Sequence, residues 1–300
     1  MRGWLLLGAI VAATSLVFAE AAPAISQADA KRLLAPGTKT KCTTIVCLIE
    51  DAYAADPVAQ GLALALFHDT GTIAGVGPAE LMDGGYRGTI RLVPQLPLGK
   101  YRKHLTWTDG AIRSIDAFFG ELFANQATAP NYRWRALSMR FVRSVKKRTP
   151  SAYAFGWTIE YNVEGSLLTS APGVLETLFH ELFHNNDFEH GDWSAKTLQT
   201  DYDAIVATCG TKARCLAPYA PNKTRVKATG TYYAFQPNNG NGVHEYAAEL
   251  AVRYFTEQRQ MLRDGKLAKP AFKCGPAENA RAWQALITEF FAGRDLVPAC

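Results

Sequence analysis

No two cysteines in this chain stand three positions apart, which excludes the thiolate zinc modules built on Cys-x-x-Cys pairs. There is no Walker loop and no glycine-rich dinucleotide fingerprint, so nothing points to nucleotide chemistry. Ser-His-Asp hydrolysis lacks its turn, because "EGSLL" has no second glycine with which to form a nucleophile elbow. Internal repeats and low-complexity linkers are missing too. The net charge is only +5 and the basic residues are dispersed. Their one dense run, "RSVKKR" from Arg143 to Arg148, is expected as a solvated loop or strand end, so no nucleic-acid partner is expected.

Long apolar runs are equally scarce. One extends from Trp4 to Ala19, behind a single Arg and ahead of the small-x-small sequence Ala19-Glu20-Ala21. Its sixteen residues fall short of the ~20 that span a bilayer. Residues 1–21 are therefore expected to be a cleaved secretory signal, leaving a soluble, secreted or periplasmic protein with no stable membrane insertion. The six cysteines fit export. They fall as Cys42/Cys47, Cys209/Cys215 and Cys274/Cys300, and sequential pairing closes the shortest loops.

Residues 22–300 are expected to form a single domain, with 22–41 as a flexible lead-in. "DPVAQGLALALFHDTG" has helical apolar spacing that stops at Gly71, and "GGYRGTIRLVPQLP" reads as a turn and a strand. "TWTDGAIRSIDAFFGELFA" sets Ile112, Ile115, Phe119, Leu122 and Phe123 on one helical face. "YRWRALSMRFVRSV" and "AYAFGWTIEYNV" read as two strands of an antiparallel hairpin, Tyr132 to Val163. The last third is helical in pattern. Strands first and helices later predict an α+β fold.

The chemistry is concentrated in "LETLFHELFHNNDFEH", Leu175 to His190. Ser170 is placed to cap a helix and Pro172 to occupy its first turn. On that helix His180 and His184, four residues apart, project from one face and are spaced to bind one Zn²⁺. Glu181 is rotated from His180 by about 100°, so it misses the metal but reaches a water bound there. Zinc lowers the pKa of such a water toward ~7, and a carboxylate takes its proton. Lewis acid, nucleophile and base therefore come from one motif, and the expected substrate is a peptide or protein. A non-catalytic zinc-stabilised binding protein is the reading from a different class.

Two histidines leave the zinc site incomplete. His190 sits where the metzincin pattern HExxHxxGxxH has its last ligand, but Asp187 replaces the glycine that breaks that helix. The only later methionine, Met261, is in "EQRQMLRDG", which reads as a helix end and not as a turn beneath a metal. The competitor is "NGVHEYAAELAVRYF", where a helix would align Glu245 and Glu249 one turn apart.

Together, "HELFHNND" and "EYAAELAVRYF" resemble the gluzincin branch of the HExxH zinc peptidases, in particular the peptidase core of anthrax lethal factor and its relatives. The resemblance covers His180 to Phe255. It implies a zincin-like domain with His180, His184 and Glu245 as ligands and Glu181 as base. Glu249 would orient a ligating histidine, and Asp187 would support the helix end or a ligand. It also implies a tyrosine near the substrate oxyanion, for which "GTYYAF" offers Tyr232 and Tyr233, and an edge strand that pairs with substrate, here "AFGWTIEYNV". His190 remains the alternative third ligand; otherwise it and His244 are expected at the rim or surface.

Overall fold

Among the described residues six strands form one mixed sheet: β1 (Ile73–Gly75), β2 (Glu80–Asp83), β3 (Thr89–Pro94), β4 (Ser138–Ser144), β5 (Ala152–Phe155) and β6 (Thr158–Asn162). The computed structural model describes residues 24–84, 88–226, 230–237 and 240–300. The expected secretory signal and the tip of the turn at 85–87 lie outside them. The lateral order is β2-β3-β4-β6-β5. β1 runs parallel to the first half of β4, with Ile73 opposite Ser138, while β3 runs antiparallel to its second half, with Leu92 opposite Ser144.

The expected hairpin between "YRWRALSMRFVRSV" and "AYAFGWTIEYNV" is not present. β4 pairs with β6 in parallel, and the second run is itself the hairpin, β5 turning into β6 through Gly156 and Trp157. Both turn residues have positive φ, 50° and 63°, the backbone that a two-residue hairpin loop requires. Within that run, therefore, only β5 lies at an edge of the sheet. β6, the rest of the run expected at the edge, is enclosed on both sides.

Among the described residues ten α-helices accompany the sheet and make an α+β fold: α1 (Gln27–Leu34), α2 (Ile45–Ala52), α3 (Pro57–Thr70), α4 (Arg102–Leu122), α5 (Ala171–Glu189), α6 (Trp193–Thr197), α7 (Gln199–Cys209), α8 (Ala213–Leu216), α9 (Gly242–Asp264) and α10 (Ala277–Phe290). The stretch expected as a lead-in carries α1, capped by the Ser26 hydroxyl on the Asp29 N–H and anchored by buried Leu33 and Leu34. α3 begins at Asp56-Pro57 and ends at Gly71, φ 70°. α4 buries Ile112, Ile115, Phe119 and Leu122, and Phe119 stacks on Trp134 with ring centroids 4.1 Å apart.

Strand alternation decides which face meets the helices. Met139 and Phe141 of β4 and Ile159 and Tyr161 of β6 join the main core. Arg140 and Glu160, directly opposite each other, take the other face. The three sequential cysteine pairs are disulfide-bonded. No helix among the described residues is long and apolar enough to cross a membrane.

Glu160 is 1% exposed, and its carboxylate lies 3.1 Å from Arg140 Nε. Arg140 also pairs with Glu80 at 3.2 Å, so it does not belong to Glu160 alone. Burial pushes the Glu160 pKa up to about 8, against the pull of Arg140. A carboxyl raised in the folded state binds a proton that the unfolded chain has already released. Stability is then fully present below the ordinary carboxyl range and falls as pH rises toward about 8. Glu160→Gln should flatten this dependence, melting a few degrees above the native chain at alkaline pH and close to it at acid pH. Melting curves of both proteins between about pH 5 and pH 9 check this.

Candidate metal centre

α5 is nineteen residues long, with the Ser170 hydroxyl accepting from the Gly173 N–H at its start and proline in the first turn. It does not break at Asp187 but continues to Glu189, with His190 as its C-cap. That straight run decides where the third histidine goes. His190 leaves the helix toward α10, where its Nδ1 lies 2.6 Å from Glu289 Oε1 and its ring packs on Phe290. It is not part of the group around His180.

Glu245 is. α9 starts at Gly242 behind the Asn241 cap, which puts Glu245 in its first turn and Glu249 one turn further along. α9 packs on α5 through Phe255, which stacks on Phe179 at 4.2 Å, and buries Ala247, Ala248 and Ala251. The approach brings His180 Nε2 to 3.1 Å from Glu245 Oε2 and to 3.0 Å from His184 Nε2, and His184 Nε2 to 3.7 Å from that same carboxylate oxygen. One ligand atom from each of the three residues lies within 4.8 Å of the others. Two imidazoles and a carboxylate converging on one point are a donor set that fits zinc and leaves a coordination position open. The other ring nitrogen of His180 faces Glu249 Oε1 at 3.4 Å, the contact that fixes a ligand's tautomer and ring orientation.

The charges follow from this crowding. Burial opposes a charged imidazole at His180, but hydrogen bonds to Glu245 and Glu249 outweigh it and hold the His180 pKa well above the usual histidine value. Burial also works against ionised Glu245, and there too the two histidines win, holding it below the carboxylate range. Glu181 is different: burial raises its pKa, and the histidines only partly offset that. It lies beside the triad as the more basic carboxylate.

The triad opens into a cleft of about 450 Å³ lined by Ala152 to Phe155 of β5, Glu181, Tyr233 and the start of α9. Of the two candidate tyrosines only Tyr233 lines it, with its ring centroid 5.9 Å from that of His180. Tyr232 is buried on the other side of the backbone, bridged to Arg225 and accepting from its guanidinium at 3.3 Å. Asp187 supports the end of α5, accepting from the Ser194 N–H at 2.7 Å and the Ser194 hydroxyl at 2.6 Å.

Two features of the cleft had no signal in the spacing of the motifs. Asn185, the residue after His184, accepts from the Trp157 N–H at 3.2 Å and ties the β5–β6 turn to the helix. Asp192, in a loop after α5, pairs with His244 at 2.6 Å. The pair is visible only once α5 and α9 are placed side by side.

The geometry predicts that Glu245→Ala, purified and dialysed at neutral pH, loses nearly all zinc from the triad, while His190→Ala retains it. Elemental mass spectrometry of folded variants checks both. No family model matches this chain, and neither a curated protein nor a solved structure matches it.

Proposed function

We propose that the protein is an exported zinc metallopeptidase of the gluzincin type that hydrolyses peptide bonds in the cleft between β5 and α5. The observation that carries this reading is the convergence of His180, His184 and Glu245 beside Glu181 in an open cleft whose wall is an edge strand. The three disulfides fit export. A purely structural metal site would need neither the cleft nor a buried carboxylate next to the ligands.

His180, His184 and Glu245 would hold a zinc ion, which would supply a Lewis acid for the scissile carbonyl and lower the pKa of the attacking water toward about 7. The chain's own groups do the rest. An extended peptide can add to the open edge of β5, which among the described residues has a strand partner only on the β6 side. Glu181 accepts the proton of the attacking water and delivers it to the leaving amine, and its raised pKa brings it closer to the working pH of such a shuttle. Tyr233, at the cleft wall near His180, offers a hydroxyl to the oxyanion that develops on the carbonyl. Glu249 holds the His180 ring in place during turnover.

Glu181→Gln has nearly the same shape and leaves the ligands intact. It should keep zinc and melting temperature while lowering kcat/KM on a quenched fluorescent peptide library by roughly 10²–10⁴-fold. Unchanged hydrolysis in a folded, zinc-loaded Glu181→Gln would refute the mechanism.

A further inference from the structure

Beyond the triad, the same two helices bring a second set of ligand-type side chains together. On α5 the row His180, His184 continues at i+7 with Asp187, and on α9 the residue before Glu245 is His244. Asp192, from the turn between α5 and α6, completes the set. One ligand atom each of Asp187, Asp192 and His244 lies within 4.8 Å of the other two.

Asp187 makes this more than a surface pair. It is 3% exposed, its two oxygens accept from Ser194 of α6, and among the described residues no Lys or Arg pairs with it. A buried carboxylate without a counter-charge is costly, and the usual remedies are a paired base or a bound cation. Its contacts with Ser194 use one lone pair on each oxygen and fix the orientation of the group, as outer partners do for metal-ligating carboxylates. The set lines the cleft, so a cation has a way in.

We propose that Asp187, Asp192 and His244 form a second divalent-cation site, distinct from the triad. The donor chemistry selects the ion. An imidazole nitrogen with two carboxylates suits zinc and its transition-metal neighbours and not calcium, which takes oxygen ligands. The ion would join the end of α5, the start of α6 and the first turn of α9, and so brace the backbone that presents Glu245.

Asp192 is exposed, and among the described residues it makes no hydrogen bond or ion pair with the triad, so Asp192→Asn tests the site with little risk to the fold. The full mature chain and the variant are loaded with excess zinc, freed of unbound metal by gel filtration and assayed by elemental mass spectrometry. Asp192→Asn is expected to hold one zinc per chain fewer than the native protein and to keep the zinc that Glu245→Ala removes. The double variant should then hold none. His244→Ala, melted alongside to establish that it is folded, should show the loss seen in Asp192→Asn. Zinc content in Asp192→Asn equal to the native value overturns the proposal, whether or not the protein proves to be a peptidase, because the count requires no activity.

Discussion

The contact between α5 and the start of α9 is the interaction on which the rest of the site depends. Neither helix carries all three triad residues, and the segments are 65 residues apart in sequence at the His180–Glu245 pair. Apolar packing provides the attachment. The Phe179–Phe255 stack and the buried alanines of α9 take apolar surface out of water, whereas the polar groups that the two helices bring together repel or need pairing. Two imidazoles and three carboxylates removed from water cost free energy unless protons or a cation balance them. The shifted pKa values of His180, Glu245 and Glu181 reflect that competition, and a metal ion bound there would resolve it by replacing protons.

The helix is also coupled to the sheet. Two adjacent asparagines after His184 serve as staples: Asn185 accepts from the Trp157 N–H, while Asn186 accepts from the Arg133 N–H and donates to the Arg133 carbonyl. The first holds the β5–β6 turn and the second the segment leading into β4. The edge strand and the ligand helix therefore keep a fixed relation, so a peptide laid along β5 would meet Glu181 and the triad in one register. Arg133 over the Trp157 ring at 4.1 Å closes the same corner.

Much of the helical architecture was legible in the sequence because its signals are local. Ser170 and Pro172 mark the start of α5, Gly71 the end of α3, and the stripe Ile112, Ile115, Phe119, Leu122 the buried face of α4. Strand pairing is not local. The runs around Met139 and Ile159 both alternate, and alternation names a buried face without naming a neighbour. Their parallel pairing depends on the tight Gly156-Trp157 turn, where a tryptophan occupies backbone that usually favours glycine. The helical lead-in was missed for a similar reason: α1 is eight residues long and owes its place to packing of Leu33 and Leu34. At the site, spacing along the helix placed His180, Glu181 and His184, but the choice between His190 and Glu245 needed the course of the chain after Asp187. Tyr232 and Tyr233, neighbours in sequence, could not be separated until the backbone pointed one of them away.

The most direct measurement is the anomalous scattering of zinc-loaded crystals, collected on both sides of the zinc absorption edge. A peak is predicted at about 2.0–2.2 Å from His180 Nε2, His184 Nε2 and a Glu245 carboxylate oxygen. No peak between these residues, or one whose ligands leave Glu245 out, would contradict the account.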